Sequence, residues 1–249
     1  MAQILERGDI YFAYRPRVEE TSPEGIGDIQ RFYMILHPDG GELHRLIVVG
    51  RKRMPEIRDG GEREWAFVET VGHTATKVEE ALDPERYRTK TRGERRVPAA
   101  RPAGEGVYAI ARHGDHTHLA YILELPERPG EVQRELNVNE RASYILSIAN
   151  PERPAPKGAG LGEKRGAKYP KGLRSKFEGR KFVPADPPKF LDHEGAELLL
   201  IGAARRPQEE LDIELKAEDE DEHSAEIFRE LGLEREEHPT RPLFEGKWD

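Results

Sequence analysis

Apolar residues along the chain gather into short blocks, and most blocks alternate with period two. Within 8–15, Ile10, Phe12 and Tyr14 share one face, as strand side chains do when they alternate across a sheet. Residues 31–37 place Phe32, Met34 and Leu36 on one side and Tyr33 and Ile35 on the other. The run Leu46-Ile47-Val48-Val49 within 43–50 is likewise apolar on both faces, so both segments read as strands covered on two sides. Pro38-Asp39-Gly40-Gly41 between them is a turn, because glycine accepts the positive φ that tight turns require. Further strands are expected over 65–71, 106–113, 117–125, 142–149 and 196–203. Short helices are expected over 76–82, stopped by Asp83-Pro84, over 131–136, and over 170–177 with Pro170 at the start. Three prolines make 184–188 extended. Beyond Arg206, residues 209–216 and 224–231 read as helices. Ser224 caps the second, Gly232 ends it, and Ile227, Phe228 and Leu231 form its apolar edge.

The pattern predicts the α+β class: a β-rich body of two similar halves with mixed or antiparallel pairing, few short helices and a C-terminal extension. The first half spans 1–93 and the second 94–205, with a long loop over 151–182 in the second half. Residues 206–249 form a partly helical tail. The apolar pattern of 8–16 returns in 106–114, that of 31–38 in 118–125, and that of 45–56 in 142–152. This repetition predicts a diverged duplication.

Charge divides the chain unevenly. From Pro207 onward there are 16 acidic and five basic residues, a net of −11. The whole chain carries −8, so the preceding 206 residues are mildly basic at +3. Glu218-Asp219-Glu220-Asp221-Glu222 repels itself and is expected to stay solvated. Charged residues make up 35% of the chain against 36% hydrophobic, and the wealth of Arg and Glu fits a heat- or salt-adapted host. Cysteine is absent, which excludes disulfides, thiolate metal sites and a cysteine nucleophile. No apolar run approaches a membrane span and the first residues carry no secretory pattern, so no membrane partner and a cytoplasmic location are expected.

Three basic islands are the leading functional signal. They are Arg51-Lys52-Arg53, the connection holding Arg92, Arg95 and Arg96, and the long loop with Lys164, Arg165, Lys168, Lys171 and Arg174. Clustered cations neutralise phosphates and release counterions, and Tyr87, Tyr169 and Phe177 lie among them for stacking on bases. The reading is a non-catalytic binding or adaptor protein that contacts nucleic acid or another phosphate-rich partner. The acidic tail is expected to fold over the basic surface and compete with that partner. A second reading is a phosphoester- or nucleic-acid-processing enzyme built on the turn His113-Gly114-Asp115-His116-Thr117-His118. In an extended chain His116 and His118 point the same way, and with His113 and Asp115 they offer ligands to a borderline cation such as Zn²⁺. A third is an assembly protein without a ligand, meeting a protein partner through the tail's Ile227, Phe228 and Leu231. The sequence names no cofactor. Gly158-Ala159-Gly160-Leu161-Gly162 lacks the Lys-Ser/Thr ending of a phosphate loop, and no strand leads into it.

The opening Glu6-Arg7-Gly8-Asp9-Ile10-Tyr11-Phe12 resembles the first strand of the MazF/PemK toxins, a resemblance that implies an SH3-type barrel and RNA cleavage but carries over no site residue. A longer likeness runs through Thr91-Arg92-Gly93-Glu94, Gly104-Glu105-Gly106, His116-Thr117, Leu119-Ala120-Tyr121, Ala142-Ser143-Tyr144-Ile145 and the Leu191-Asp192 to Leu200 region. It resembles a widespread group of bacterial hypothetical proteins with no established activity. That resemblance implies one ancestral body over most of 6–204, followed by a variable tail.

Overall fold

The computed structural model describes residues 2–58, 60–91, 93–153 and 166–249. In chain order the elements begin with β1 (Gln3–Pro16), β2 (Ile29–Pro38), β3 (His44–Val49), β4 (Arg63–Gly72) and α1 (Thr76–Leu82). A charged ribbon follows, β5 (Glu85–Thr89) and β6 (Gly93–Val97), then β7 (Arg101–His113), β8 (His116–Leu125), α2 (Glu131–Glu135) and β9 (Arg141–Ala149). Beyond residue 166 come α3 (Lys171–Ser175), β10 (Phe182–Pro184) and β11 (Glu197–Ala204). The tail supplies α4 (Pro207–Leu211), α5 (Ile227–Leu231) and α6 (Arg241–Phe244).

Eight of the strands close into a barrel in the order β9-β11-β4-β3-β2-β1-β7-β8, with β8 pairing back to β9. Every pairing in it is antiparallel. The body is therefore one closed sheet around one interior. The strands expected in 1–93 and in 94–205 each form a four-stranded meander, and the meanders join at β1–β7 and β4–β11. Closure leaves no open edge among these eight strands, while β10 adds to β9 and β5 pairs with β6 outside the barrel.

Period-two alternation decides what lies inside. Ile10, Phe12 and Tyr14 of β1 face the interior with Phe32, Met34 and Leu36 of β2 and with Leu119, Tyr121 and Leu123 of β8. Phe12 stacks with Phe32 at 6.0 Å, and Tyr121 with Tyr144 at 6.2 Å between centroids. An eight-stranded barrel is just wide enough for side chains to fill it, and these rings do so. Both mouths are plugged. At the mouth where β3 ends, called the lower one here, Val132, Leu136 and Val138 around α2 close the core, and Trp248 packs edge-on against Tyr14 at 5.1 Å. The upper mouth is closed by Tyr169, Phe177 and Phe190, with centroids 5.2–5.7 Å apart.

The outer face explains why β2 and β3 are apolar on both sides. Tyr11, Tyr33, Ile35, Leu46 and Val48 point outward and are covered by Val78 and Leu82 of α1 and by Ile227, Leu231, Leu233 and Leu243 of the tail. A second outward patch, Ala109, Ala111, Ala120 and Ile122, is covered by Leu211, Ile213 and Leu215. The helix expected over 209–216 stops at Leu211, and the next residues run extended, burying alternate side chains. Within the acidic run Glu218, Asp219, Asp221 and Glu222 are exposed. Each fully buried Leu or Ile contributes about 1.5–3 kcal/mol against exposure, so the tail is a structural layer of the body. The expected helix over 224–231 begins only at Ile227. Ser224 is drawn into a turn with Asp221, and the first amides of α5 are capped from outside by Glu105. Gly232 ends α5 in the left-handed conformation, as its sequence position predicts. The chain terminus is seated by a close backbone approach, Val132 N–H donating to the Gly246 carbonyl at 3.0 Å beside Gly130. Among the described residues no helix is long and apolar enough to cross a membrane.

Candidate functional site

The described residues of the three basic islands do not meet on one face. Strand β9 is antiparallel to β3 in the barrel order, so the segment leaving β9 emerges at the upper mouth while Arg51-Lys52-Arg53 leaves β3 at the lower one. β7 starts at the lower mouth too, which places Arg95 and Arg96 there. Carboxylates and carbonyls already match most of these lower cations. Arg51 pairs with Glu62 at 3.1 Å and Glu64 at 3.3 Å, and Arg53 with Glu62 at 3.3 Å and Glu56 at 3.4 Å. Lys52 donates to the Ile29 carbonyl at 2.6 Å, and Arg95 pairs with Glu19 at 3.4 Å. The Glu56 amide, the largest influence, and then the neighbouring arginines hold the Glu62 carboxyl below its ordinary range. Arg92, Lys164 and Arg165 lie outside the described residues.

The upper mouth is different. Lys168, Lys171, Arg174, Lys176, Arg180 and Lys181 are all exposed. Arg174 lies 3.8 Å from Glu152 and Arg180 3.3 Å from Glu178. Among the described residues Lys168, Lys171 and Lys176 form no ion pair. Lys176 and Arg180 line a cleft of 410 Å³ with Arg112, Gly114, Asp115 and Asp186. Arg112 crosses its floor, donating to Asp186 at 2.9 Å and to Gln3 at 2.6 Å. The expectation that Tyr169 and Phe177 stack on bases is corrected, because both rings are buried in the aromatic plug. Of the three aromatic candidates only Tyr87, on the β5–β6 ribbon, is exposed.

The His113–His118 turn joins β7 to β8 at the rim of this cleft. His116 lies 3.3 Å from Asp115, and the rings of His113 and His118 are 6.1 Å apart. His118 is buried beneath the tail. Burial, with His113 and His116 nearby, lowers its proton affinity, and Glu210 opposes that. Among the described residues only His37, His44 and Glu230 bring three ligand atoms within 4.8 Å of one another.

Among the described residues the tail forms no ion pair with Lys168, Lys171, Arg174, Lys176 or Arg180. Its bonds to the barrel are to other groups: Asp249 to the buried Arg101, the Glu214 carbonyl to Arg7, and His238 to Asp83. Ile227 and Leu231, the expected partner-binding edge, are fully buried against the chain's own barrel.

Sequence patterns did not reveal a charged network just inside the upper mouth. Arg45, on β3, is 2% exposed and forks onto Glu6 with bonds of 2.6 and 2.9 Å. It also donates to Asp192 at 2.8 Å, while Tyr108 donates to Glu6 at 2.8 Å. Burial pulls the Arg45 guanidinium down, but the Glu6 and Asp192 charges outweigh it and hold it protonated. The one available signal was an arginine opening the otherwise apolar block 45–49.

No family model matches the chain, and no curated protein or solved structure matches it either.

Proposed function

We propose that the protein is a non-catalytic binding protein that grips a phosphate-rich partner, nucleic acid first, at the upper mouth of its barrel. One observation carries the reading. Six exposed cations lie within 168–181, two of which, Lys176 and Arg180, line a cleft with Arg112, while most cations of the lower mouth are matched by carboxylates or carbonyls. With Tyr169 and Phe177 buried, the contact is to phosphates and little to bases. Binding is then weakly sequence-dependent and strongly salt-dependent.

The test is fluorescence anisotropy with a single-stranded RNA and a duplex DNA across a salt series. Affinity should fall steeply with salt, and Lys176→Ala with Arg180→Ala should reduce the logarithmic salt slope by about 1–2. Absence of binding even at about 50 mM salt, or a slope unchanged in the double variant, would overturn it. The phosphoester-processing reading is favoured by one fact, that Asp115 and Gly114 of the histidine turn line the same cleft. Cleavage of either probe, lost in His116→Ala, would replace the binding reading with that one.

The two meanders are also proposed as diverged copies. First strand pairs with first and last with last, and the matched positions Phe12 and Ile110, Phe32 and Leu119, and Met34 and Tyr121 all face the interior. Relatives whose halves align no better than unrelated meanders would remove this idea.

A further inference from the structure

His37 ends β2 and His44 begins β3, so the hairpin turn between them brings the two imidazoles together. The rings stack with centroids 4.3 Å apart and planes 12° apart. Main-chain carbonyls select their tautomers. His37 Nε2 bonds the Gly41 carbonyl at 2.9 Å and His44 Nδ1 bonds the Glu42 carbonyl at 3.0 Å. A carbonyl only accepts, so those two nitrogens carry the hydrogens. The lone pairs of the neutral rings are then on His37 Nδ1 and His44 Nε2. Both of these nitrogens are buried without a close hydrogen-bond partner, and His44 is only 3% exposed. Buried polar atoms are nearly always satisfied, so two orphaned lone pairs side by side need an explanation.

Oxygen donors stand beside His37, and the ligand atoms of His37, His44 and Glu230 lie within 4.8 Å of one another. Glu230 Oε2 from α5 and Asp9 Oδ2 from β1 each lie 3.7 Å from His37 Nδ1. The Glu230 main-chain carbonyl also approaches the His44 ring. Tetrahedral Zn²⁺ with bonds of about 2.0–2.1 Å sets its donors about 3.3 Å apart. The observed 3.7 Å separations therefore need only a small closure. An imidazole–carbonyl second layer, already present here on both rings, is the usual support of a metal-bound histidine.

We propose that His37, His44 and Glu230, with Asp9 as fourth donor, bind Zn²⁺ or a similar borderline divalent cation that fastens the C-terminal tail to the barrel. The donor set, two imidazole nitrogens and two carboxylates, suits that class of ion.

The experiment uses the full chain without an affinity tag, stripped with a chelator and titrated with Zn²⁺ against a chromophoric competitor. Co²⁺ serves as a spectroscopic probe of tetrahedral geometry. One equivalent should bind, with the intense visible bands of tetrahedral Co²⁺. Glu230→Gln, on the rim of a surface helix, and His44→Gln should each weaken uptake by more than about 10-fold. The His116→Ala, His118→Ala double variant should bind as wild type. Hydrogen exchange of 226–231 should slow on adding Zn²⁺ to wild type and stay unchanged in Glu230→Gln. No uptake by the wild-type chain would overturn the proposal, as would uptake that survives both Glu230→Gln and His44→Gln undiminished.

Discussion

Glu105 tests whether the tail is part of the folded body. It stands on β7, 2% exposed, and accepts the Glu226 amide at 2.7 Å and the Ile227 amide at 3.1 Å, the start of α5. Burial under the tail pushes its carboxyl up to about 7, against an opposing pull from those two amides. The ordinary value is 4.5, and at 1.36 kcal/mol per decade the difference corresponds to about 3 kcal/mol as a ceiling. The sign follows from linkage. Above pH 7 the carboxylate is charged in both states and the folded form carries the whole penalty. From pH 7 down to 4.5 the folded state holds a proton that the unfolded state lacks. Stability therefore rises as pH falls, by up to about 1.4 kcal/mol per pH unit. His44 and His118 act oppositely, because burial lowers both and the unfolded chain takes up their protons first below pH 6.5. The wild-type curve is a sum, so the informative quantity is the difference from Glu105→Gln. Losing one hydrogen bond shifts the variant vertically by about 0.5–1.5 kcal/mol without adding a slope. Urea unfolding at pH 5 to 8 should show wild type gaining stability relative to Glu105→Gln as pH falls. Parallel curves would refute both the buried carboxylate and the docked tail.

Leu231→Ala removes a fully buried side chain from the seam between α5 and the outer face of β2 and β3. It should cost about 2–5 kcal/mol, seen as faster tryptic cleavage at Arg229 and Arg235 before the barrel itself is cut. Cleavage at the wild-type rate would show that the seam contributes nothing. Arg45→Ala leaves Glu6 half-buried beside Tyr108 without its partner and should cost about 3–5 kcal/mol in urea unfolding, whereas Arg86→Ala, at its exposed pair with Glu94, should cost under about 1 kcal/mol.

The strands were legible because a barrel with a filled interior imposes strict alternation, which Ile10-Phe12-Tyr14 and Leu119-Tyr121-Leu123 display directly. The doubly apolar β2 and β3 were legible too, but the cover on their outer face was not. It comes from Ile227, Leu231 and Leu243, nearly two hundred residues later, and the alternation of Leu211, Ile213 and Leu215 read as a helix because three apolar residues fit either period. The β5–β6 ribbon escaped notice because Glu85–Thr89 buries nothing and so carries no alternation. Site groups fared worst for the same reason of distance. Arg45 meets Glu6 and Asp192, and His37 and His44 meet Glu230, only because closure of the barrel and docking of the tail bring them together. The His113–His118 turn, compact in sequence, is spread by the strands on either side.

The overall acidity of the chain is a poor guide to what its upper mouth can hold. Charges on a wet surface are screened over about 8 Å at physiological ionic strength, so a ligand responds to the groups beside it and hardly to the sum. Many of the carboxylates that make the chain acidic sit on the tail, where several pair with arginines and lysines of the tail itself and others lie near Glu105, Glu124 and Asp9 on the barrel flank. None of the described tail carboxylates forms an ion pair with Lys168, Lys171, Lys176 or Arg180. Burial first, and then repulsion by the neighbouring Glu220 charge, lifts Glu105 and Glu124 to about 7. A divalent cation between His37, His44 and Glu230 would ease that repulsion where it is closest to α5. On the proposed reading the two halves of the charge asymmetry act separately, the acidic one on how firmly the tail holds and the basic one on what the barrel binds.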